Sequence, residues 1–426
     1  MPSLSHHVLG RMVHQSLQRI TVRQTHTDVL IVGGGVVGCA LARQLTKRVP
    51  GLSVGLIEAG NGPNLKQPEH NDPPHPRSYA MSPASLAVLG LPTDPHHTAN
   101  DTIDPQVRQR LGFYDSMQIW EANQPASLIF DAQSDLLSAS HEHKYLGALV
   151  EDATLLRHLW PALADKCQID TGVRIKSVNV HEDSSKVTVL TTGGTRTTHL
   201  LVGADGAHSS VRQLLGFGLT RHTYNQTALT ATVQLDAPHR GRAWQRFLPD
   251  GGILALLPTF SDQHAIVVWS TTSETAAYWK QQHKEQWERQ QQLPHPTDTP
   301  VDQSSDQVFT THINTLLHDG PGGLPPLFDS WTRYWNVAPS SPLLQNILYG
   351  LDKVVDLAQY GPAVAAQEVG GRPFWPTPTI QPPLASPLYS FPLSTGQVDR
   401  YTVGRVALVG DAAHTVGHNC THATSY

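Results

Sequence analysis

Cysteine is scarce in this chain of 426 residues: Cys39, Cys167 and Cys420 are the only three. They have neither CxxC nor metal-ligand spacing, which argues against a disulfide scaffold and suits a reducing compartment. No apolar run approaches the ~18–20 residues that span a bilayer, so any membrane contact is expected to be peripheral. Excess charge is also lacking. The 30 Lys and Arg against 35 Asp and Glu leave a net charge of −5, giving no general electrostatic case for nucleic acid as a partner. There is no internal repeat, so a solenoid is not supported. Finally, no acid precedes Asp28, whereas Arg11, Arg19 and Arg23 are spread among Leu, Val, Ile, Ser, Thr and His. This basic, acid-poor pattern has no apolar core of about 7–15 residues, and it predicts a mitochondrial transit peptide over residues 1–27 rather than a secretory signal. A tail with no address is the alternative.

What is present is organised around Asp28 to Glu58. Asp28-Val29-Leu30-Ile31-Val32 is a short apolar run of the kind that makes a buried parallel strand. It runs into Gly33-Gly34-Gly35-Val36-Val37-Gly38, a Gly-x-Gly-x-x-Gly turn. Gly33 suits the tight turn, Gly35 lets the backbone approach a pyrophosphate, and Gly38 permits close helix–strand packing. The helix expected from Val36 to Arg48 aims its N-terminal amides and dipole at that phosphate. A strand from Val54 to Ile57 then places Glu58 twenty residues after Gly38. A carboxylate there suits a ribose 2′-hydroxyl and disfavours a 2′-phosphate. A glycine-rich loop alone is an ordinary strand–turn–helix. With a strand before it, a helix after it and an acid at this spacing, it reads as a dinucleotide site, without distinguishing FAD from NAD. The fold class that follows is α/β.

Asn61 to Pro76 is rich in Pro, Asn, His and Gly and is expected to be irregular. Arg77 follows it as a candidate partner for phosphate or flavin. Phe113 to Phe130 reads as one or two strands, Glu151 to Trp160 as a helix with Asp152 as N-cap, and Val173 to Thr191 as a hairpin. Leu200-Leu201-Val202 is a strand feeding Gly203-Ala204-Asp205-Gly206-Ala207-His208-Ser209-Ser210-Val211-Arg212, an acid–glycine turn before a helix. Arg405 to Val409 likewise feeds Gly410-Asp411-Ala412-Ala413-His414. Either turn alone would be commonplace. Three such turns in one chain point to one cofactor lined by three loops of one sheet. Between them, Thr227 to Leu235 and Ala265 to Thr271 alternate like strands roofing a substrate cavity, Lys280 to Gln292 reads as a solvated helix, and His295 to Asp306 as loop.

These three motifs, in this order, resemble the FAD-dependent aromatic hydroxylases of the p-hydroxybenzoate hydroxylase fold. Met117-Gln118-Ile119-Trp120-Glu121-Ala122 and Pro387-Leu388-Tyr389-Ser390-Phe391-Pro392-Leu393 resemble, more narrowly, the ubiquinone-biosynthesis monooxygenases of the bacterial UbiH type and their mitochondrial counterparts. The likeness runs from about Thr27 to Val416. It implies an α/β fold (α+β overall), with a Rossmann-like FAD-binding domain over 28–110, 145–220 and 388–426. A mixed-sheet substrate domain over 111–144 and 221–387 is interleaved with it. It implies FAD as cofactor, with Gly33, Gly35 and Gly38 on the pyrophosphate and Glu58 on the adenosine ribose. Arg77 is implied near the flavin, Asp205 and Gly206 in a loop used for FAD and reductant access, and Asp411 at the ribityl and pyrophosphate region. His208 stands where the family commonly has Asn. No catalytic side chain and no metal ligand is implied.

The implied reaction is hydroxylation of the ring of a prenylated hydroxybenzoate, at C5 in the mitochondrial branch, using O2 through a flavin C4a-hydroperoxide. The chain has no separate NADPH fingerprint, and in the mitochondrial relatives electrons come from ferredoxin and its reductase. Other implied partners are ubiquinone-biosynthesis proteins in a complex and the matrix side of the inner membrane, touched peripherally. Three alternatives stay open: another FAD-dependent hydroxylase such as a kynurenine-type enzyme, a prenyl reductase, and a non-catalytic partner protein. The last arises because the family continues after the position of His414 with a His-Pro pair and a Gly-Gln-Gly-type segment facing the isoalloxazine, whereas Thr415 to Tyr426 reads otherwise. A complete adenosine half and an incomplete flavin half are therefore expected.

Overall fold

The computed structural model describes residues 25–64, 72–95, 103–121, 127–132, 144–181, 185–291, 304–318 and 377–415. Val29, Leu30, Ile31 and Val32 are all buried, the signature of a strand covered on both faces. The strand Thr25–Val32 accordingly sits inside a run of five parallel strands. In spatial order these are Val406–Leu408, Gly194–Gly203, Thr25–Val32, Val54–Glu58 and Cys167–Thr171. Antiparallel strands complete the eight-stranded sheet: Thr402–Val403 on one edge, and the hairpin of Ile175–Val180 and Val187–Thr191 on Gly194–Gly203. The helix Val36–Arg48 joins two neighbouring parallel strands and buries Gly38, Cys39 and Ala42, its slimmest residues. The α/β, Rossmann-like architecture read from the sequence is what this sheet shows.

Thr25 to Thr27 already belong to the first strand, pairing with Arg196 to Thr198. A transit-peptide boundary after residue 27 therefore cuts into the sheet; residues 1–24 lie outside the described residues.

The chain divides into two compact units. The first, Met1–Gly62, Leu163–Gly218 and Val398–Ala413, contains the parallel sheet. The second comprises Pro63–Ala162, Leu219–Gln397 and His414–Tyr426, so residues 63–110 and 145–162, grouped with the cofactor domain by sequence, fall in the second unit. Its main sheet has nine strands. Leu219–Leu235, His264–Thr272, Ile253–Pro258 and Arg242–Phe247 pair antiparallel in that order, and Ser116–Glu121 joins parallel to the last of them, making the sheet mixed. One face carries Leu229, Trp269, Leu254 and Trp244, which share a core with Trp279, Phe309 and Ile313 of the helices Ser273–Gln291 and Ser304–His318. Trp279 and Phe309 meet edge-on at 5.3 Å between ring centroids.

Three local expectations change. The described residues between Phe113 and Phe130 fall on three strands, Leu111–Tyr114, Ser116–Glu121 and Ser127–Asp131. The helix after Gly147–Glu151 runs Asp152–Leu159 with Glu151, not Asp152, at the cap position. Glu151 makes no capping bond because its carboxylate is taken by the Arg110 guanidinium, while Asp152 accepts from Tyr79 Oη at 3.0 Å. The expected loop up to Asp306 is overtaken by a helix starting at Ser304, and Asp306 itself is buried against His283 at 3.0 Å. Among the described residues no helix is long and apolar enough to cross a membrane.

Candidate cofactor-binding site

The parallel register brings the three glycine/acid turns together. Val32 lies opposite Gly203 on one side and Ile57 on the other, and Gly203 lies opposite Leu408. The turns that follow therefore leave the same carboxyl edge of adjacent strands, where open α/β sheets bind ligands. Two backbone bonds extend the ladder into the turns, Ala204 N–H to Val32 O at 2.7 Å and Val409 N–H to Gly203 O at 2.9 Å.

In the first turn each glycine has a measurable reason. Gly33 has φ +111°, and a side chain there would collide with the backbone of Ala204. A side chain at Gly38 would collide with the Gly33 carbonyl oxygen. Gly35 differs: an added Cβ would meet nothing within 4 Å. It is also the N-cap of the helix, no side chain caps that terminus and no acid occupies the first turn. The first amides are thus left for an anion arriving from open space. Glu58 closes the loop from behind, its Oε2 accepting from Gly34 N–H and its Oε1 from Gly60 N–H, both at 2.7 Å. Each oxygen retains a lone pair for a further hydroxyl donor. Cys39 is not a nucleophile in this setting. Burial, with Glu58 nearby, pushes its thiol up to about 12, and it donates to Gly34 O at 3.3 Å.

The second turn is built by its own acid. Asp205 Oδ2 accepts from the amides of Ser210 (2.7 Å) and Val211 (3.2 Å), fixing the start of the short helix Ser210–Leu214. Its other oxygen, Oδ1, is buried with no hydrogen-bond partner, as expected of an acceptor awaiting a donor from a ligand or water. Gly206 has φ +77° with open space beside it. The third turn, Gly410–Ala412, leans on the first: a Cβ on Gly410 would lie 3.1 Å from Val37 Cγ2. Asp411 is exposed on this turn.

Arg212, which the sequence placed in the second motif without a task, ties the second turn to the third. Its buried guanidinium donates to Ala412 O at 2.9 Å and to Ala207 O at 2.6 Å. Arg212→Met should strand both carbonyls. The expected cost is about 1–3 kcal/mol of stability, together with weakened cofactor binding, read by thermal melting and flavin-fluorescence titration.

An uncapped helix N-terminus facing open space, the Glu58 carboxylate and the buried, unpartnered Oδ1 of Asp205 lie at one edge of the sheet and suit the phosphates and hydroxyls of a dinucleotide. The sequence pattern of the FAD binding domain matches residues 26–319. The chain belongs to the FAD binding domain family. An open, uncapped helix terminus at Gly35 and the Glu58 carboxylate beside it fit the anionic and hydroxyl groups of FAD.

Among curated proteins, the mitochondrial ubiquinone biosynthesis monooxygenase COQ6 of Danio rerio is 28% identical over 404 residues, covering 91% of this chain and 69% of the relative. The 3-demethoxyubiquinol 3-hydroxylase of Escherichia coli is 33% identical over 246 residues, 57% of each chain. The crystal structure of PqsL from Pseudomonas aeruginosa superposes with a TM-score of 0.56 at 20% identity, covering 92% of this chain and 80% of that one, a likeness of fold.

Arg77 belongs to the second unit. Its Nε lies 3.5 Å from Asp152 Oδ2, with the side chain 71% exposed. The structure brings Gly33, Gly35, Gly38, Glu58, Asp205, Gly206 and Asp411 together within the first unit, and Arg77 belongs to the second. Two further residues escaped the sequence reading. Thr230, Val268, Ala255 and Gln245 form one cross-strand row, alternating with the helix-covered row Leu229, Trp269, Leu254 and Arg246. The Thr230–Gln245 row therefore faces away from the helices. Thr230 Oγ1 and Gln245 Oε1 are buried there without partners among the described residues, the two residues being 6% and 2% exposed.

Proposed function

We propose that the chain is an FAD-dependent monooxygenase of ubiquinone biosynthesis, hydroxylating the ring of a prenylated hydroxybenzoate at C5. The observation that carries this reading is the meeting of three glycine/acid turns at one sheet edge, joined by Arg212 and by the Gly410–Val37 contact. The names of its relatives in the zebrafish and E. coli ubiquinone pathways support the substrate class. Gly33, Gly35 and Gly38 hold the pyrophosphate and Glu58 the adenosine ribose. Asp205 and Asp411 accept from the ribityl side, Gly206 lets the backbone approach, and Arg77 serves the flavin end. FAD held by these residues would supply the oxygen-activating chemistry for adding one oxygen atom to an electron-rich ring. The protein orients the ring and excludes water, and no side chain acts as general base.

On the second unit, the Thr230–Gln245 row offers a buried apolar strip with two unsatisfied polar atoms, suited to a ring bearing an oxygen substituent on a greasy tail. Gln245→Leu should raise KM about ten-fold or more without lowering the melting temperature, since it removes a buried Oε1 that has no partner among the described residues. Electrons are proposed to come from ferredoxin and its reductase. The setting is the matrix face of the mitochondrial inner membrane, beside other ubiquinone-biosynthesis proteins, with a leader ending before Thr25. The test is to supply reduced ferredoxin, O2 and prenylated 4-hydroxybenzoate to the flavin-loaded chain. A product carrying one added oxygen on ring C5 is expected. Substrate returned unchanged, with the prenyl chain hydrogenated, or with oxygen at another carbon would overturn the assignment.

A further inference from the structure

The opposite end of the parallel sheet carries a second cluster. Among the described residues, one group of His, Cys, Asp or Glu side chains converges closely enough to hold a metal ion: His26, Asp28 and His199, whose ligand atoms lie within 4.8 Å of one another. Strand geometry explains the convergence. His26 and Asp28 are two residues apart on Thr25–Val32 and so share a face. His199 lies between Thr198 and Leu200, which pair with Thr27 and Val29, so it stands beside Asp28 across the ladder. The imidazoles meet edge-on, 4.8 Å between centroids.

Each candidate ligand is held from behind. His199 Nδ1 lies 2.8 Å from Ser185 O, which makes Nδ1 the protonated nitrogen and leaves Nε2 with its lone pair. His26 Nδ1 is held by Thr197 Oγ1 at 3.0 Å. Asp28 Oδ2 accepts from the Ser53 amide at 2.9 Å and hydroxyl at 2.7 Å, which fixes the carboxylate from one side. Outer partners that fix imidazole tautomers and orient a carboxylate are the usual support of metal ligands. We propose that His26, Asp28 and His199 form a binding site for a divalent transition-metal cation, zinc being the best match to two imidazoles and one carboxylate, with water in the fourth position. Hard cations such as Mg²⁺ favour all-oxygen sites and are excluded by the two nitrogens. Zinc at bond lengths of about 2.0–2.2 Å draws its ligands closer than 4.8 Å, so binding requires the three side chains to draw together. The ion clamps Thr25–Val32 to Gly194–Gly203, the two strands whose other ends carry the first and second turns. The proposal rests on these strands and not on the FAD assignment.

Zinc sulfate titrated calorimetrically into the full chain, followed by thermal melting with and without EDTA, tests it. The wild type should take up one zinc equivalent more than His26→Gln or His199→Gln. Its zinc-dependent rise in melting temperature, reversed by EDTA, should vanish in both. Thr197→Val, which removes only an outer partner, should weaken zinc binding about 10–100-fold. His26 is exposed, so its variant reads the site even if His199→Gln lowers the metal-free melting temperature. Equal stoichiometry in wild type and variants, no zinc-dependent shift in the wild type, or an equal shift with Mg²⁺ would overturn the proposal.

Discussion

Gly35→Val is expected to leave the cofactor-free protein as stable as the wild type, within about 0.5 kcal/mol, while weakening FAD binding about 100-fold or more, a loss of about 2.7 kcal/mol. The reason is the asymmetry among the three glycines. Gly35 sits at φ −74°, ψ −177°, a conformation any residue adopts, and a Cβ there meets no protein atom within 4 Å. The space it enters is the one proposed for the pyrophosphate. Gly38→Val behaves differently, because its side chain is driven into the Gly33 carbonyl and the helix must move off the strand. It should lose about 1–3 kcal/mol of stability as well as FAD. Melting of the apo proteins and titration with FAD separate the two. A Gly35→Val variant that binds FAD like the wild type would mean that the open space is not the phosphate site.

The second large effect lies within the second unit. Arg110 grips Glu151 with two hydrogen bonds, Nε to Oε2 at 2.6 Å and Nη2 to Oε1 at 2.7 Å, and stacks its guanidinium over Phe260 at 4.2 Å. Glu151 also accepts from the His75 amide and from Thr154 Oγ1, so four donors converge on one buried carboxylate. Arg110→Ala leaves that charge uncompensated and should cost about 3–5 kcal/mol, visible as a fall in melting temperature. Replacing Arg110 and Glu151 together by apolar residues of similar volume should recover much of the loss. Burial alone would raise the Glu151 carboxyl, but Arg110, His75 and Thr154 hold it below its ordinary 4.5. A depressed folded value stabilises above the unfolded value and is lost as the pH falls through the folded one. Stability should therefore decline below about pH 4.5, and less steeply in Glu151→Gln.

What could be read from sequence was what is local. Gly33 to Glu58 is legible because strand, turn, helix and acid follow one another within one βαβ unit, where spacing alone constrains geometry. The Asp205 and Asp411 turns were legible as repeats of that pattern, and the register of Val32, Gly203 and Leu408 makes them neighbours. Arg212 was visible as a residue but not as a clamp, because its partner Ala412 is 200 positions away. Thr230 sits in a strand that the alternation suggested, whereas the strand Arg242–Phe247 that holds Gln245 was not read from sequence; which face each presents depends on a cross-strand register that no single strand encodes. His26, Asp28 and His199 were invisible for the same reason, since ligand spacing rules read only short separations. Asp152 looked like a cap by type and position, yet Arg77 and Tyr79 claim it instead.

The absorbance spectrum of the purified full chain, reconstituted with excess FAD and freed of unbound cofactor, bears most directly on whether these turns form one flavin site. One equivalent of FAD per chain is expected, with oxidised-flavin bands that bleach on reduction and return on admitting oxygen. A folded, cooperatively melting protein that retains no flavin would contradict the assignment of Gly33, Gly35, Gly38, Glu58, Asp205, Gly206 and Asp411 to the cofactor.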